Sequence, residues 1–415
     1  MTKPLSSTPI REVPANADAL LTIPTQAKLI LQLLKKIKYG SLRLECPDHS
    51  VLHFGDHSTP VTLHLKNWQP CVAAVKSGDI GFAESYINGD WTTDDLPRLL
   101  EFFIHNRQAV ETAIYGTWWG SLLYRIKHIF NRNSRSGSRR NIHAHYDIGN
   151  DFYRLWLDPS MTYSSALFKE SHYTLEQAQQ AKYTRIYEQI AATAGTKILE
   201  IGCGWGGFAE YATRQGAHVT GLTLSSEQLA FARKRLADAD LDQHADLRLQ
   251  DYRDTEGEFD AIASIEMFEA VGENYWDSYF SCVASRLKTG GKACIQTITI
   301  ADELFERYRK GTDFIQQYIF PGGMLPSPSV FRAHAEKQGL HVIDESSFGL
   351  DYARTLSLWD QAFQQKKEQI YALGFDERFK HTWEFYLAYC EAGFRAKSID
   401  LFQFTLQKNR IMNAL

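Results

Sequence analysis

The stretch TKILEIGCGWGGFA, residues 196–209, decides the fold. It begins with a short apolar run, passes through glycines at 202, 204, 206 and 207, and continues into a helical pattern over 208–213. Glycines permit a sharp turn and the close approach of a ligand, and the start of the next helix faces that ligand. The order strand–turn–helix predicts a nucleotide-binding α/β unit. Such turns bind dinucleotides, phosphates and S-adenosylmethionine (SAM) alike.

Two neighbouring features favour SAM over NAD. Glu200 lies on the strand, two residues before Gly202. A carboxylate there can pair with the amino group of SAM through a charge-assisted contact. The next strand-like run, 217–224, ends without the acidic residue that holds the ribose hydroxyls in NAD sites. The sequence therefore predicts a SAM site and argues against a dehydrogenase.

Composition limits the remaining classes. The 415 residues are enough for two domains, and 44% hydrophobic with 23% charged residues is ordinary for a globular protein. A net charge of −4 gives no support for nucleic-acid binding. The six cysteines form no CxxC pair, so neither a disulfide framework nor a structural zinc site is expected, and a reducing cytoplasm is the default. His143 and His145 have no partners at metal-ligand spacing, so no metal is predicted.

The N-terminal part is predicted to be a mobile tail, residues 1–25, followed by a small α+β domain over 26–115. The predicted elements are a helix over 26–39, an antiparallel meander of strands over 41–46, 51–54 and 61–65, and helices near 68–76, 79–87 and 94–107.

Residues 116–140 form an amphipathic and basic segment. Residues 118–130 mix tryptophans and leucines with basic side chains, and 131–140 contain four arginines and no acidic residue. A solvated linker is one interpretation. The alternative is peripheral contact with anionic phospholipid headgroups at the inner face of the membrane, at about 1 kcal/mol per basic residue. No run is long and apolar enough for a signal peptide or a spanning helix, so a soluble or peripheral protein is expected.

From 141 to 415 strands alternate with helices, which predicts a doubly wound, Rossmann-like parallel sheet with its ligands at the carboxyl ends of the strands. After the strand that ends at Ile201, the predicted strands cover 217–224, 246–250, 259–264 and 291–298, with extra edge strands over 341–345 and 399–404.

Several motifs occur together along nearly the whole chain. They are 78–91 (GDIGFAESYINGDW), 145–153 (HYDIGNDFY), 157–164 (LDPSMTYS), 199–207 (LEIGCGWGG), 266–273 (EMFEAVGE), 318–326 (YIFPGGMLP), 348–356 (FGLDYARTL) and 389–395 (YCEAGFR). In combination they resemble the cyclopropane-fatty-acyl-phospholipid synthase family of SAM-dependent lipid methyltransferases, which includes the mycolic acid cyclopropane synthases.

The resemblance implies a reaction. In the family, the cis double bond of a phospholipid acyl chain attacks the methyl group of SAM, a bicarbonate ion removes a proton from the resulting carbocation, and a cyclopropane ring closes. Two alternatives stay open. Loss of a different proton would give a methylene- or methyl-branched chain, and a decayed site would leave a non-catalytic lipid-binding protein. The family also suggests a homodimer.

The resemblance and the glycine turn together give a set of predicted SAM-binding residues. They are Tyr163, Ser164, Glu200, Gly202, Cys203, Gly204, Thr223, Leu224, Gln228, Asp251, Tyr252 and Ile265. Thr223 and Gln228 would make the hydrogen bonds that an acidic residue makes in NAD sites. Asp251, at the end of a predicted strand, is added as an acceptor for the adenine amino group.

The resemblance also implies a bicarbonate site, which this chain matches in part. Glu269, Tyr352 and Ile298 match the family's Glu, Tyr and Ile, while Ser165 and Gln296 replace Cys and His. A hydroxyl and an amide can still donate to an anion. A bound anion would raise the pKa of Glu269. Cys390 matches a cysteine with a catalytic role in the family, and the alternative is a small buried apolar side chain.

Overall fold

The structure, a computed structural model, describes residues 23–56, 58–109 and 148–409. The described residues form two compact units, one of 23–95 with 106–109 and one of 96–105 with 148–409. The predicted helix near 94–107, which the sequence placed in the first domain, is Leu96–His105 and belongs to the second unit. The predictions for most of the N-terminal tail and for the basic segment at 116–140, with its membrane contact, lie outside the described residues.

The first unit is a small sheet with two helices. Its elements are α1 (Thr25–Leu34), β1 (Ser41–Glu45), β2 (Val51–Gly55), β3 (Val61–Leu65), α2 (Gln69–Ile87) and β4 (Trp91–Thr92), with strand order β2-β1-β3-β4. The two helices predicted near 68–76 and 79–87 form the single element α2, which is interrupted where Gly78 has a φ of 62°.

The predicted antiparallel meander is wrong in one pairing. β1 pairs with β2 antiparallel, but it pairs with β3 in parallel, with Leu42 opposite Val61. Alternation with period two predicts which side chains are buried, and Leu42, Leu44 and Leu63 are indeed buried. It does not distinguish parallel from antiparallel neighbours, because both pairings place the same faces inward.

The second unit contains a seven-stranded sheet. Its strands are β5 (Lys197–Ile201), β6 (His218–Thr223), β7 (Ala245–Leu249), β8 (Phe259–Ile265), β9 (Leu287–Ile300), β10 (Leu340–Ser347) and β11 (Ile399–Lys408). The order is β10-β11-β9-β8-β5-β6-β7, and neighbours from β9 to β7 are parallel. β11 pairs antiparallel with both β9 and β10. The predictions of a wholly parallel sheet and of an edge strand at 399–404 are therefore wrong, because the sheet is mixed and β11 lies inside it.

Helices cover this sheet. They are α3 (Leu96–His105), α4 (Asn150–Arg154), α5 (Leu175–Gln189), α6 (Gly207–Arg214), α7 (Ser226–Asp238), α8 (Trp276–Arg286), α9 (Asp302–Tyr308), α10 (Phe314–Tyr318), α11 (Pro328–Lys337), α12 (Gly349–Gln365), α13 (Lys367–Ala372) and α14 (Glu377–Arg395).

The helices bury both faces of the sheet. Ile198 on β5 belongs to one apolar core and Leu199, the next residue, belongs to another. On β8, Ala261 and Ile262 divide in the same way. Because successive side chains of a strand point to opposite faces, the two cores lie on opposite faces of the sheet. The predicted doubly wound α/β fold is confirmed, and ligands of such folds bind at the carboxyl ends of the parallel strands.

Candidate functional site

The glycine turn joins β5 to α6. Gly202, Gly204 and Gly206 all have positive φ, at 89°, 50° and 81°. A Cβ atom on Gly206 would lie 2.9 Å from Ala232, and one on Gly202 would lie 2.8 Å from the side chain of Met267. A Cβ atom on Gly204 would meet nothing within 4 Å. Gly204 therefore borders open space at the carboxyl end of β5, where a ligand can approach the backbone.

Glu200 supplies an unpartnered carboxylate beside this turn. Its side chain is 2% exposed, and its Oε2 atom has no hydrogen-bond partner among the described residues. Burial raises the pKa of Glu200 to about 8, against the opposing charges of Lys182 and Arg235. A buried carboxylate oxygen without a donor is costly, and a cationic amino group would satisfy it. This residue fits the amino end of SAM.

Lys182 is a charged residue that the sequence analysis missed. It lies on α5, is fully buried, and donates from Nζ to Ser164 Oγ at 2.6 Å and to Gln179 Oε1 at 2.6 Å. Burial lowers its pKa to about 7, while the charges of Glu266 and Glu200 oppose that shift. Lys182 thus connects the predicted SAM residue Ser164 electrostatically with the carboxylates at the ends of two strands.

Thr223 and Gln228 lie together at the end of β6. The Thr223 hydroxyl donates to Gln228 Oε1 at 3.0 Å, and both side chains are buried. Ser225 caps α7 by accepting a hydrogen bond from the Gln228 N–H. Because Gln228 Oε1 is engaged by Thr223, its side-chain NH₂ is the group oriented to donate to a ligand.

The residues predicted around the adenine, Asp251, Tyr252 and Ile265, lie in different surroundings. Both carboxylate oxygens of Asp251 accept hydrogen bonds from the Arg253 guanidinium, at 2.8 and 2.6 Å. The Arg253 guanidinium therefore engages both oxygens of Asp251. A hydrogen bond from the adenine amino group would have to share one of these oxygens with Arg253. Tyr252 is partly exposed, with its ring 5.5 Å from that of Tyr279, and Ile265 packs at the margin of one apolar core.

Two further predicted SAM-binding residues, Cys203 and Leu224, lie next to the ends of β5 and β6. Cys203 is buried against the apolar core between β5 and α7, and burial raises the pKa of its thiol. Leu222, not Leu224, is the residue of β6 whose carbonyl accepts the N–H groups of Gly202 and Cys203. Leu224 itself lies between the end of β6 and the capping residue Ser225, and its side chain is partly buried.

Tyr163 belongs to an aromatic cluster next to these residues. Its hydroxyl lies 2.7 Å from that of Tyr386 on α14, and its ring centroid is 5.3 to 5.5 Å from those of Tyr153, Trp156 and Trp359. Aromatic faces favour cations by roughly 0.5–2 kcal/mol each. The cluster gives this side of the site an apolar, electron-rich wall.

Glu266 occupies the centre of the predicted bicarbonate site. It follows β8 directly, with a φ of 49°. Its Oε1 atom accepts hydrogen bonds from the backbone N–H of Ser165 at 2.9 Å and from Gln296 Nε2 at 2.7 Å. Its Oε2 atom accepts from the Tyr352 hydroxyl at 2.6 Å. Three of the residues predicted to bind bicarbonate therefore donate to a carboxylate of the chain itself.

Glu269 lies one short turn further along the chain. Its Oε1 atom accepts the backbone N–H of Ile298, which was predicted to serve the bicarbonate site, and its Oε2 atom is buried without a partner among the described residues. Burial, followed by the charge of Glu266, raises the pKa of Glu269 to about 8, against the Ile298 N–H and the nearby Thr297 hydroxyl. The expected direction is observed, but its cause is burial and a neighbouring carboxylate.

Ser165 and Gln296 act differently from the prediction. The Ser165 hydroxyl donates to the Ala166 carbonyl at 2.9 Å, so only the backbone N–H of Ser165 reaches the site. Gln296 accepts from Gln403 Nε2 at 2.9 Å while it donates to Glu266. Gln296 and Gln403 are paired across β9 and β11, which fixes the orientation of the Gln296 amide.

Tyr352 on α12 and Cys390 on α14 complete the predicted set. Burial, followed by the charge of Glu266, raises the pKa of the Tyr352 hydroxyl, which keeps it a donor. Burial also raises the pKa of the Cys390 thiol. A protonated thiol is a poor nucleophile, so the environment favours a packing role for Cys390 over a reactive one.

Two sequence signals could have revealed the missed residues. Glu266 comes directly after a buried strand, at the edge of the sheet where ligands bind. Lys182 is spaced by four from Ala178 and from Ile186, both fully buried, so it lies on the apolar face of its helix. A lysine at such a position is rarely buried without a specific partner.

The chain is similar to several known proteins. Residues 133–404 match the family model described as mycolic acid cyclopropane synthetase. Tuberculostearic acid methyltransferase UfaA1 of Mycobacterium tuberculosis is 38% identical over 340 residues, which cover 80% of this chain and 79% of UfaA1. The cyclopropane-fatty-acyl-phospholipid synthase of Escherichia coli K12 is 36% identical over 354 residues, which cover 83% of this chain and 87% of that synthase.

Solved structures give the same result. The cyclopropane synthase MmaA2 from Mycobacterium tuberculosis matches with a TM-score of 0.61 and 33% identity, over 65% of this chain and 97% of MmaA2. The mycolic acid cyclopropane synthase CmaA1 complexed with SAH (S-adenosylhomocysteine) and CTAB matches with a TM-score of 0.61 and 34% identity, over 65% of this chain and 98% of CmaA1. The chain therefore belongs to the mycolic acid cyclopropane synthetase family and is a SAM-dependent methyltransferase that acts on lipids.

Proposed function

We propose that this enzyme adds a methylene unit across the cis double bond of an unsaturated phospholipid acyl chain, giving a cyclopropane fatty acid. SAM supplies an electrophilic methyl group when bound. The acyl double bond attacks that carbon, and the carbocation that results must lose a proton for the ring to close. The protein therefore has to bind SAM, exclude water and provide a base.

The observation that carries the proposal is the placement of two carboxyl groups beside the glycine turn. Glu266 and Glu269 flank Met267, whose side chain is the nearest neighbour of the Gly202 Cα hydrogens. β5 and β8 are adjacent parallel strands, so the turn after one and the acidic pair after the other lie at the same edge. A methyl group presented at the turn would face groups able to take a proton.

The proposed SAM contacts follow from the geometry. Glu200 would hold the amino group, Gly202 and Gly204 would let the backbone approach, and Gln228 would donate to the ribose. Tyr163, Ser164, Cys203, Thr223, Leu224, Asp251, Tyr252 and Ile265 remain proposed neighbours of the cofactor. A matched pair tests the open space at the turn: Gly204→Ala should weaken binding of S-adenosylhomocysteine, while Gly195→Ala, which also has positive φ and open surroundings, should not.

A second product is favoured by one comparison. UfaA1, named a tuberculostearic acid methyltransferase, is as similar to this chain as the E. coli synthase is. The same carbocation could lose a different proton and give a methylene- or methyl-branched chain. Bicarbonate, the base that the family resemblance predicts, stays a prediction, because the groups proposed to hold it donate to Glu266.

The experiment is gas chromatography with mass spectrometry of lipids from an expressing bacterium, with Glu269→Gln as a control. A product heavier by one CH₂ unit that contains a ring and no alkene supports cyclopropanation. The same mass gain with a surviving alkene would assign the second product. No modified lipid would contradict both and would favour a lipid-binding protein.

Membrane contact is proposed on the sequence of 116–140 alone, in which residues 131–140 contain four arginines, at 132, 135, 139 and 140. None of the helices within the described ranges is long and apolar enough to cross a bilayer. We propose a cytoplasmic enzyme that reaches its phospholipid at the inner membrane face, and a homodimer as in the family. Flotation with anionic and neutral vesicles tests the first, and light scattering tests the second.

A further inference from the structure

The acceptor capacity of Glu266 is nearly filled. An ionised carboxylate offers about four lone-pair positions, and three of them accept from Ser165 N, Gln296 Nε2 and Tyr352 Oη. Among the described residues no fourth donor to Glu266 is found, so one position on Oε2 stays open. The residue is partly exposed and directly follows β8, so it lies at the carboxyl edge of the sheet.

The three donors come from three different segments. Ser165 precedes α5, Gln296 is on β9 and Tyr352 is on α12. Gln296 is itself oriented by Gln403, and the backbone N–H of Glu266 donates to the Gln296 carbonyl at 2.8 Å. Donors that converge in this way favour the charged form of a carboxyl group and hold it in a fixed position.

Hydrogen bonds and neighbouring charges act differently on the pKa values of Glu266 and Glu269. Burial raises the pKa of Glu266, but the Tyr352 hydroxyl, the charge of Lys182 and two further donors oppose the rise. Glu269 has the Ile298 N–H on one oxygen and no partner on the other, and its pKa is about 8. With three donors against one, Glu266 is the carboxyl whose charged form the surrounding groups favour more, while the pKa of about 8 leaves Glu269 mostly protonated at neutral pH.

We propose that Glu266 takes the place of bicarbonate as the catalytic base of this enzyme. In the ring-closing step, a C–H bond of the transferred methyl group breaks and its electron pair forms the second C–C bond of the cyclopropane. The proton passes to Oε2 of Glu266, which becomes a neutral carboxylic acid. The same group would take the proton for a branched product, so the inference concerns the base and not the product.

This inference rests on the proposed function but makes a separate claim. A second anion at the site would lie against the negative carboxylate of Glu266, and the donors that would bind it are already engaged. The enzyme should therefore work without bicarbonate and should not bind it.

The first test measures turnover on vesicles of an unsaturated phospholipid with SAM, in buffer freed of carbon dioxide and with bicarbonate added back. The wild-type rate should be the same in both. Glu266→Gln keeps the shape and should lower turnover by about 100-fold or more, with S-adenosylhomocysteine affinity within a few-fold. The matched control is Glu345→Gln, which removes an exposed ion pair with Arg332 and should leave turnover unchanged.

The second test is chemical rescue. Glu266 has a φ of 49°, which glycine adopts without strain, so Glu266→Gly should fold and leave a space lined by the same three donors. This variant should be inactive without carbon dioxide and should recover at least tenfold with bicarbonate or formate. Failure of a folded Glu266→Gly protein that binds S-adenosylhomocysteine to recover would contradict the inference.

The third test does not depend on the lipid. Isothermal titration calorimetry of bicarbonate into the protein saturated with S-adenosylhomocysteine should give no binding heat for the wild type and measurable binding for Glu266→Gly. Binding to the wild type, a wild-type rate that needs bicarbonate, or a Glu266→Gln variant with near-normal turnover would each overturn the inference. Absence of any lipid product would instead contradict the proposed function, since the calorimetry stands apart from it.

Discussion

The ends of β5 and β8 show two different uses of a buried carboxylate. Glu200, on β5, keeps one oxygen without a donor, whereas Glu266, after β8, accepts three hydrogen bonds. The charge of each of these carboxylates opposes the lowering of the Lys182 pKa by burial. The unpartnered oxygen of Glu200 is the one that the proposed contact with the amino group of SAM would use, whereas the three donors on Glu266 support its proposed role as the base.

The two sites also differ in how far apart in the sequence their residues lie. The end of β5 depends on a local turn, in which glycines supply the positive φ angles. The end of β8 depends on donors that lie 101, 30 and 86 residues away from Glu266. One end is made by consecutive residues, and the other only by the packing of distant segments.

The largest expected effect is the loss of SAM binding on substitution in the glycine turn after β5. Gly202→Val combines positive φ with a Cβ atom 2.8 Å from Met267, so SAM binding should fall by more than 100-fold in a calorimetric titration. Gly195→Val is the control for backbone strain, since its φ of 81° meets open space. Equal loss of binding in both variants would mean that strain alone explains the result.

At the β8 end, Glu269→Gln should lower turnover by about tenfold or more, because an amide cannot take up or release a proton next to Glu266, the proposed base. SAM affinity should stay within a few-fold, since Glu269 contacts Ile298 and not the glycine turn. Turnover and binding are measured on the same preparation. Unchanged turnover would remove Glu269 from the site.

Glu200→Gln should weaken SAM binding by about 10- to 100-fold, since a hydrogen bond to a charged group contributes about 1.5–3 kcal/mol. The control is Asp260→Asn, which neutralises a carboxylate at the other end of β8, where it binds Lys197 and Lys288. If binding to Glu200→Gln matches the wild type, the unpartnered oxygen does not serve the amino group.

The pH dependence of stability tests the raised pKa of Glu269. The pKa of Glu269 is raised from 4.5 to about 8, so the folded protein binds more protons than the unfolded chain between these values. The contribution of Glu269 to stability therefore falls as pH rises through this range. Thermal unfolding should show a smaller loss of Tm from pH 5 to pH 8 in Glu269→Gln than in the wild type. Parallel curves would argue against the raised pKa.

Cys390→Ser should have the smallest effect, with turnover within about twofold of the wild type. Burial raises the pKa of this thiol, so it is protonated at neutral pH and is not a nucleophile. A loss of turnover comparable to that of Glu269→Gln would instead give Cys390 a role in the reaction.

The sequence by itself determined the features that depend on neighbouring residues. The glycine turn and the strands of the second unit follow from local backbone preferences and from the pattern of apolar residues. These features were enough to predict the α/β fold and to place Glu200 beside the glycine turn.

Only the tertiary structure decided which distant groups meet. The parallel pairing of β1 with β3, the burial of Lys182, the use of the Ser165 backbone in place of its hydroxyl, and the three donors on Glu266 required folded coordinates. The physical reason is that a side chain's charge state depends on burial and on its partners, and these come from segments that the sequence keeps far apart.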